Sequence, residues 1–292
     1  MNLIKPNILN KGDCISIIAP SGPVDFDKII KSKTYFENAG YKVKLGKHIN
    51  NSKMFLAGDD EDRLEDLHSA FSDNEVKAII CARGGYGALR IINKTDYNLI
   101  ASNPKIFCGY SDITVLSLML LKKASLITFS SPMAQSDFAE DTINEETEQS
   151  FFNVLQGKEE HYIAKGVITS GKAKGIIWGG NLSSVVSLCG IDFIPDTDFI
   201  LFLEDVSEPA YKIDKMLRQL LNIDKFKKNI KGIAYGEFSD TDNSVWVNDT
   251  LTEFAQILKI PASYGFKFTH GKAKQTIKIG GEGILDGNLT VK

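Results

Sequence analysis

The sequence is poor in the residues that build disulfide frameworks and metal centres. Of its 292 residues, four are cysteine and four are histidine. The cysteines lie far apart in apolar surroundings and form no C-x-x-C pair: Cys14, Cys81, Cys108 and Cys189. No two histidines have the spacing of metal ligands. We therefore expect reduced, buried thiols, no metal, no other cofactor and few candidates for a catalytic imidazole.

The sequence also lacks a basic surplus and a long apolar run. Its formal net charge is -3 and its pI is near 5.9, so no excess of positive charge is present to neutralise a phosphate backbone. No run of about 18 apolar residues occurs, and the N-terminus lacks the apolar core of a signal peptide. These absences argue against nucleic-acid and membrane partners, and they predict a soluble, cytoplasmic protein.

The periodicity of the chain predicts an α/β protein with two domains. The first 130 residues alternate strand and helix patterns, and strands and helices at this spacing form a parallel sheet flanked by helices. The later patterns are a mixture of strands, an amphipathic helix at Tyr211–Leu221 and a closing hairpin at Asp286–Gly287. We predict an N-terminal domain at 1–136, a connection at 137–165 and a smaller mixed C-terminal domain at 166–292.

One serine lies where a strand is predicted to turn into a helix. Lys105–Cys108 is typical of a short buried strand, and Ile113–Leu121 predicts the following helix, so Ser111 falls on the turn between them. A nucleophile elbow holds its serine in this position, beside the unpaired N–H groups of the helix start. The alternative is that Ser111 or Asp112 only caps the helix. The hydrolase pattern G-x-S-x-G is incomplete, because Ile113 replaces the second glycine.

Three other features have both a chemical and a structural interpretation. The loop RGGYG at 83–87 is either a tight turn or a donor of backbone N–H groups to an oxyanion. Glu204 ends a very apolar strand, where a carboxylate is costly without a hydrogen bond, although strand-end carboxylates often serve as caps. His270 lies in a glycine-containing loop, where a histidine is usually a surface residue. Ser111, Glu204 and His270 follow the chain order of the α/β-hydrolase triad.

The sequence resembles the LD-carboxypeptidase family, the muramoyltetrapeptide carboxypeptidases with which the microcin C immunity peptidases are grouped. The segments that carry the resemblance run in order along nearly the whole chain: IAPSGPV at 18–24, DDEDRLEDLHSAF at 59–71, AIICARGGYGALRI at 78–91, GYSDIT at 109–114, GGNLSS at 179–184, LFLEDVSEPAYKIDKML at 201–217 and HG at 270–271. The resemblance implies a two-domain serine peptidase whose N-terminal sheet domain is similar to class I glutamine amidotransferases.

The resemblance also implies roles for individual residues. Ser111 matches the nucleophile, Glu204 the acid and His270 the base, and the backbone amides of Gly85 and Asp112 match the oxyanion hole.

We add three candidates for contact with the substrate: Arg83, Tyr86 and Asn181. Arg83 has the alternative role of bracing the glycine loop through backbone carbonyls. Two positions depart from the family pattern, since Lys215 replaces a usual arginine and Thr269 stands where a glycine is common.

These features predict a cytosolic serine carboxypeptidase of peptidoglycan recycling, which releases terminal D-alanine from murein tetrapeptides at an interdomain site. A homodimer is the assembly we consider. The nearest alternative is an immunity-type peptidase that cleaves aminoacyl or peptidyl nucleotide conjugates with the same triad, with Trp178 stacked on the base or, more simply, in the core. A third alternative is a catalytically silent muropeptide-binding protein, against which the presence of all three triad residues argues.

Overall fold

The computed structural model describes residues 2–268 and 270–292, so Thr269 lies outside the described residues. Within these ranges, fourteen strands and eleven helices form two sheets with helices packed against them. The prediction of a two-domain α/β protein is confirmed.

The first part of the chain alternates strands and helices as its periodicity predicts. Its elements are β1 (Cys14–Ile18), α1 (Phe26–Asn38), β2 (Lys42–Leu45), α2 (Asp60–Ser72), β3 (Val76–Cys81), α3 (Ala88–Ile91), α4 (Tyr97–Ser102), β4 (Ile106–Cys108), α5 (Ile113–Ala124), β5 (Thr128–Ser130), α6 (Ala134–Asp137) and α7 (Glu145–Leu155).

The second part is richer in strands. Its elements are β6 (Glu160–Tyr162), β7 (Gly166–Thr169), β8 (Ala173–Asn181), α8 (Leu182–Ser187), β9 (Phe199–Val206), α9 (Ala210–Leu221), α10 (Asp224–Asn229), β10 (Ile230–Ser239), α11 (Ser244–Leu258), β11 (Ala262–Tyr264), β12 (Ile277–Ile279), β13 (Glu282–Asp286) and β14 (Asn288–Val291).

The first sheet has the strand order β12-β5-β4-β3-β1-β2 among the described residues. Five strands are parallel, as predicted, but the edge strand β12 comes from near the C-terminus and is antiparallel to β5. The prediction of a purely parallel sheet is therefore wrong at this edge. A three-residue segment such as Ile277–Ile279 has no periodicity of its own, and its partner is separated from it by almost the whole second domain.

The second sheet has the strand order β6-β14-β13-β8-β9-β10-β11-β7 among the described residues. Its four central strands, β8 to β11, are parallel to one another. Each of the other strands is antiparallel to its neighbour in the sheet. The Asp286–Gly287 turn joins β13 to β14 as predicted. This sheet contains more strands than the first, although the sequence predicts the smaller domain here.

Helix α5 lies between the two sheets and is buried on nearly every side. One apolar cluster extends from Leu116 and Met119 of α5 to Trp178 and Leu182 of the second domain. Trp178 is fully buried, with its ring centroid 4.9 Å from that of Phe199. The alternative that Trp178 stacks on a nucleotide base is therefore wrong, because its indole is part of this core.

The boundaries of the domains stay a prediction. Within the stretch predicted as a connection, helix α7 packs on the first domain through Phe151 and Val154. That helix therefore adds to the apolar layer on one face of the first sheet.

The described ranges also bear on membrane insertion, metal binding and thiol chemistry. No helix there is long and apolar enough to cross a membrane, and no cluster of His, Cys, Asp and Glu side chains there is arranged to hold a metal ion. Three cysteines are buried and Cys189 is half-buried, and all four are free thiols. Burial raises the pKa of the Cys108 thiol to about 12, which makes this thiol a poor nucleophile.

Gly180 lets the end of β8 approach the start of α5. Its φ is +142°, and a Cβ atom at this position would lie 2.6 Å from Thr114 Cγ2. The next residue, Asn181, donates its backbone N–H to Thr114 Oγ1 at 3.3 Å. The GGN segment of one domain and the GYSDIT segment of the other are thus in direct contact, which a side chain at Gly180 would prevent.

We expect Gly180→Ala to destabilise the protein more than Gly190→Ala does. Gly190 also has a positive φ, of +110°, but a Cβ atom there would meet nothing within 4 Å. Both variants therefore have backbone strain, and Gly180→Ala adds an overpacked contact, which typically costs about 1 to 3 kcal/mol. Urea unfolding measures the difference between the two variants. Equal losses of unfolding free energy would show that the contact with Thr114 is not tight.

Candidate active site

Ser111 lies on a strained turn between β4 and α5. Its φ is +61°, in the left-handed region that a residue with a side chain rarely adopts. The predicted position between strand and helix is confirmed. Neither alternative capping role is seen in the described residues, because the Asp112 side chain makes no cap hydrogen bond and Ser111 Oγ has no hydrogen-bond partner. The turn thus has the strained geometry of a nucleophile elbow.

The glycine loop that follows β3 packs directly against this serine. A Cβ atom on Gly84 would lie 2.9 Å from Ser111 Oγ, so a side chain at this position would clash with the hydroxyl. Within the described residues, neither the N–H of Gly85 nor that of Asp112 donates a hydrogen bond. Two unpaired backbone donors are therefore available beside Ser111.

The Asp112 carboxylate holds the glycine loop in place, a role that the sequence did not predict for this side chain. It accepts hydrogen bonds from Ser21 Oγ at 2.6 Å and from the Ala88 N–H at 2.9 Å. Burial raises the pKa of this carboxyl group. The three loops after β1, β3 and β4 meet here, because the carboxyl ends of parallel strands share one edge of the sheet.

Arg63 of α2 also holds these loops in place, a role that the sequence did not predict. Its side chain is fully buried, and Nη1 donates to the carbonyls of Pro20 at 2.7 Å and Gly87 at 2.8 Å. Asp60 pairs with Nη2 at 2.5 Å and compensates the buried charge. The sequence feature that could have indicated this role is an arginine next to the apolar stripe of an amphipathic helix, within the DDEDRLEDL segment.

Glu204 and His270 form a hydrogen-bonded pair at the edge of the second domain. Glu204 is 4% exposed near the end of β9, and its Oε2 lies 2.6 Å from His270 Nδ1. Its other oxygen, Oε1, is buried and accepts no hydrogen bond from the described residues. The histidine is thus the principal partner of this carboxylate. Upstream of His270, the Glu237 N–H donates to the Phe268 carbonyl at 2.9 Å, which anchors the segment to β10.

The pair from the second domain meets the elbow of the first domain at Tyr110. The Tyr110 ring packs edge-on against the His270 ring, with 5.0 Å between the centroids, and Ser111 is the next residue in the chain. Within the described residues, no hydrogen bond joins Ser111 Oγ to His270. Such bonds often shorten only when substrate binds. A cavity of about 550 Å³ is lined by Tyr110 and His270.

A buried ion pair fastens the His270 segment to the first domain. Lys274 pairs with Asp137, and both side chains are 7% exposed. Lys274 Nζ also lies 3.1 Å from the Tyr110 hydroxyl and 4.5 Å from the centre of its ring. Thr147 of α7 adds a hydrogen bond to the Lys272 carbonyl at 3.1 Å. Sequence patterns did not single out these residues, because a lysine and an aspartate so far apart have no recognisable spacing.

Comparison with known proteins places this arrangement in a family. Residues 15–131 match the LD-carboxypeptidase N-terminal domain, and residues 174–285 match the LD-carboxypeptidase C-terminal domain. The chain belongs to the LD-carboxypeptidase family.

Relatives and solved structures of this family are similar over nearly their whole lengths. A probable murein peptide carboxypeptidase of Bacillus subtilis is 37% identical, over 97% of this chain and 91% of that protein. The muramoyltetrapeptide carboxypeptidase of Oxalobacter formigenes has a TM-score of 0.87 and 30% identity, covering 95% of this chain and 97% of that one. An MccF-like protein of Bacillus anthracis has a TM-score of 0.91 and 28% identity, covering 99% of both chains.

In this LD-carboxypeptidase family member, Asn181 has an internal role. It caps α8 by accepting the Ser184 N–H at 3.1 Å, and its Nδ2 donates to Asp205 Oδ1 at 2.8 Å. Burial raises the pKa of the Asp205 carboxyl to about 6. Asn181 thus stabilises the segment next to Glu204, and its contact with substrate stays a prediction.

The other two substrate-binding candidates lie on the glycine loop. Arg83 is half-buried and donates to the Pro23 carbonyl at 3.4 Å, which is a long bracing contact. It forms no ion pair with a carboxylate of the described residues. Tyr86 is 44% exposed and packs beside Phe55. Contact of Arg83 or Tyr86 with substrate stays a prediction.

We expect Lys274→Met to be far more destabilising than Lys267→Met. The first change leaves the Asp137 carboxylate buried without its partner, which typically costs about 3 to 5 kcal/mol. The second removes an exposed pair, Lys267 with Glu146 at 2.5 Å, which is worth about 1 kcal/mol or less. Urea unfolding of both variants measures the contrast. Small and equal losses would show that the buried pair does not hold the His270 segment.

Proposed function

We propose that this protein is a serine LD-carboxypeptidase, which hydrolyses the bond between a diamino acid and the terminal D-alanine of murein tetrapeptides. The observation that carries the proposal is the hydrogen-bonded Glu204–His270 pair of one domain, placed beside the strained Ser111 elbow of the other. The substrate class is supported by the relatives, whose names specify murein peptide and muramoyltetrapeptide carboxypeptidases.

In the proposed first step, Ser111 Oγ attacks the carbonyl carbon of the diamino acid. His270 accepts the hydroxyl proton through Nε2, because Nδ1 is hydrogen-bonded to Glu204. The carboxylate keeps the proton of the neutral ring on Nδ1 and stabilises the imidazolium that forms. The short Nδ1–Oε2 distance and the burial of Glu204 support this division of roles.

The negative charge that develops on the carbonyl oxygen needs donors that are already in place. The N–H groups of Gly85 and Asp112 fit this role, because both are unpaired within the described residues and lie on segments in contact with Ser111. Donors held rigidly toward an oxyanion typically contribute about 10² to 10³ in kcat each. In the proposed mechanism, Arg63 and the Asp112 carboxylate act by positioning the loop that carries one of these donors.

The tetrahedral intermediate then collapses and the bond to the D-alanine nitrogen breaks. The imidazolium of His270 gives its proton to that nitrogen, so D-alanine leaves as a neutral amine and the tripeptide stays esterified to Ser111. Water, deprotonated by His270, attacks the ester. The second intermediate collapses, and the proton returns to Ser111 Oγ as the tripeptide acid leaves.

Several finer statements stay predictions. They are the role in peptidoglycan recycling, the cytoplasmic location, the homodimer and the likeness of the first domain to class I glutamine amidotransferases.

The second candidate function is cleavage of aminoacyl or peptidyl nucleotide conjugates. It is favoured by the likeness to the MccF-like protein of Bacillus anthracis. The same three side chains would perform the chemistry, but the indole that we considered as a base-stacking group is buried in the core. A catalytically silent binding protein is less well supported. Such a protein would need neither a serine on a strained turn nor a histidine hydrogen-bonded to a buried carboxylate.

Mass spectrometry of the products tests the proposal and its alternatives. The purified protein is incubated with disaccharide tetrapeptide and, separately, with an aminoacyl sulfamoyl adenosine. Release of D-alanine from the first supports the proposal, whereas cleavage of the second alone assigns the immunity-type activity. Cleavage of neither contradicts both.

We expect Ser111→Ala to lower kcat by about 10⁴ to 10⁶ while substrate still binds. Glu204→Gln should lower kcat by about 10² to 10⁴, because the imidazolium loses its carboxylate. Ser170→Ala is the matched control, since Ser170 is exposed between β7 and β8 and its loss should leave kcat unchanged. Normal turnover by Ser111→Ala would overturn its assignment as the nucleophile.

We propose that Arg83 recognises the terminal carboxylate of the substrate. Losing a charge-assisted partner in a buried site typically costs about 2 to 5 kcal/mol. Arg83→Ala and amidation of the terminal D-alanine should therefore each lower kcat/KM about 30-fold or more. Together they should cost little more than either alone, because both remove one contact.

A matched control for this cycle is Arg218→Ala, which removes an exposed arginine paired with Asp214 and Glu253. It should leave the effect of amidation unchanged. If the losses from Arg83→Ala and from amidation were fully additive, another group would recognise the terminal carboxylate of the substrate. Arg83 would then have only its bracing contact with the Pro23 carbonyl.

A further inference from the structure

An exposed apolar patch lies beside the glycine loop and includes a tight turn at residues 53–56. Residues Lys53 and Leu56 close the turn through reciprocal backbone hydrogen bonds of 2.9 and 3.0 Å. The two residues at its tip are strongly exposed, Met54 by 75% and Phe55 by 55%. Tyr86 of the glycine loop adds a third large side chain that is 44% exposed. Grouped apolar exposure of this kind commonly marks a binding site.

The patch is held in a defined shape. The rings of Phe55 and Tyr86 lie 5.5 Å apart and are tilted by 59°. Arg90, four residues beyond Tyr86, is fixed by Asp60, with Nε and Nη2 at 2.8 and 3.2 Å from the carboxylate oxygens. The contact between the two rings limits the side-chain freedom that a bound ligand would have to remove.

The patch is continuous with the proposed oxyanion loop. Tyr86 is two residues beyond Gly84, which touches Ser111, so their Cα atoms are at most about 8 Å apart. On the other side, the Ala57 N–H donates to the Ser21 carbonyl at 2.9 Å, which ties the turn to the residue that holds Asp112.

This position suits the part of the substrate that remains after D-alanine leaves. Three residues precede the terminal residue of a tetrapeptide, and an extended chain of three residues spans roughly 10 Å. A group attached to the far end of that peptide would reach the outer part of the patch. In sugar-linked murein peptides, that group is a pyranose ring.

The chemistry of the patch favours a neutral, puckered ring. Lys53 pairs with Asp59 and Arg90 with Asp60, so each of these cations already contacts a carboxylate, and Arg83 of the same loop is assigned to the terminal carboxylate of the substrate. The two aromatic rings meet at an angle, which forms a corner instead of the parallel slot that a flat base fills. The apolar C–H face of a sugar packs well against such rings.

We propose that Met54, Phe55 and Tyr86 form a sugar subsite, which binds the pyranose ring of disaccharide-linked murein tetrapeptides. The inference rests on the proposed carboxypeptidase function and adds its preference for sugar-linked over free peptide.

The test compares kcat/KM for disaccharide tetrapeptide and for free tetrapeptide. The ratio of the two should fall about tenfold or more in Phe55→Ala, since burying part of a phenylalanine is worth at least that factor. Trp246→Ala, which removes an exposed aromatic side chain of α11 in the second domain, should leave the ratio unchanged. An unchanged ratio in Phe55→Ala would overturn the sugar subsite. A loss of kcat/KM that occurs only with an aminoacyl sulfamoyl adenosine as substrate would also overturn it.

The sugar subsite can be judged separately from the proposed reaction. If the wild-type protein hydrolyses neither tetrapeptide, the carboxypeptidase function fails. Calorimetry then compares the binding of disaccharide tetrapeptide to Ser111→Ala and to Ser111→Ala with Phe55→Ala. Binding about tenfold weaker in the double variant would support the subsite, and equal binding would overturn it.

Discussion

The buried ion pair between Lys274 and Asp137 is the interaction on which the geometry of the site depends most. It joins the segment that carries His270 to the domain that carries Ser111, and it lies directly against Tyr110, which contacts both. A few residues later the same segment becomes β12 and completes the first sheet. The site therefore exists only when the two domains are docked. Burial of the pair makes that docking specific, since a displaced lysine would leave a carboxylate unpaired in the interior.

A second network fixes the nucleophile side. The Asp112 carboxylate and the Arg63 guanidinium are both buried, and each donates or accepts hydrogen bonds within the loops after β1 and β3. Their charges are costly to bury, and they are offset by Asp60, which pairs with Arg63, and by hydrogen bonds from the Ser21 hydroxyl and from backbone groups of these loops. As a result, the glycine loop is held against Ser111, and the N–H groups of Gly85 and Asp112 are unpaired among the described residues. The strain at Ser111 and these unpaired donors are local costs that the surrounding core offsets.

Much of the fold was predictable because it depends on local patterns. The strands from β1 to β4 and the helices α1, α2 and α5 follow from apolar periodicity, and the positions of Ser111 and Glu204 at the ends of strands follow from the same patterns. Some short elements were missed, among them α4, β11 and β12, because three to six residues often have too little periodicity to distinguish a strand or helix from a loop. The pairing of Glu204 with His270 was predicted through family resemblance and not through any spacing between them.

The sequence by itself determined the alternating first domain, the strand-to-helix turn at Ser111 and membership of a peptidase family, since each depends on residues that are near one another in the chain. Only the tertiary structure decided that Trp178 is core and not a base-stacking surface, and that Lys274 and Asp137 are partners. It also decided that Phe55 and Tyr86 meet on the rim of the site. Contacts of this kind join residues tens to more than a hundred positions apart, and burial and charge pairing, which no local pattern encodes, determine them.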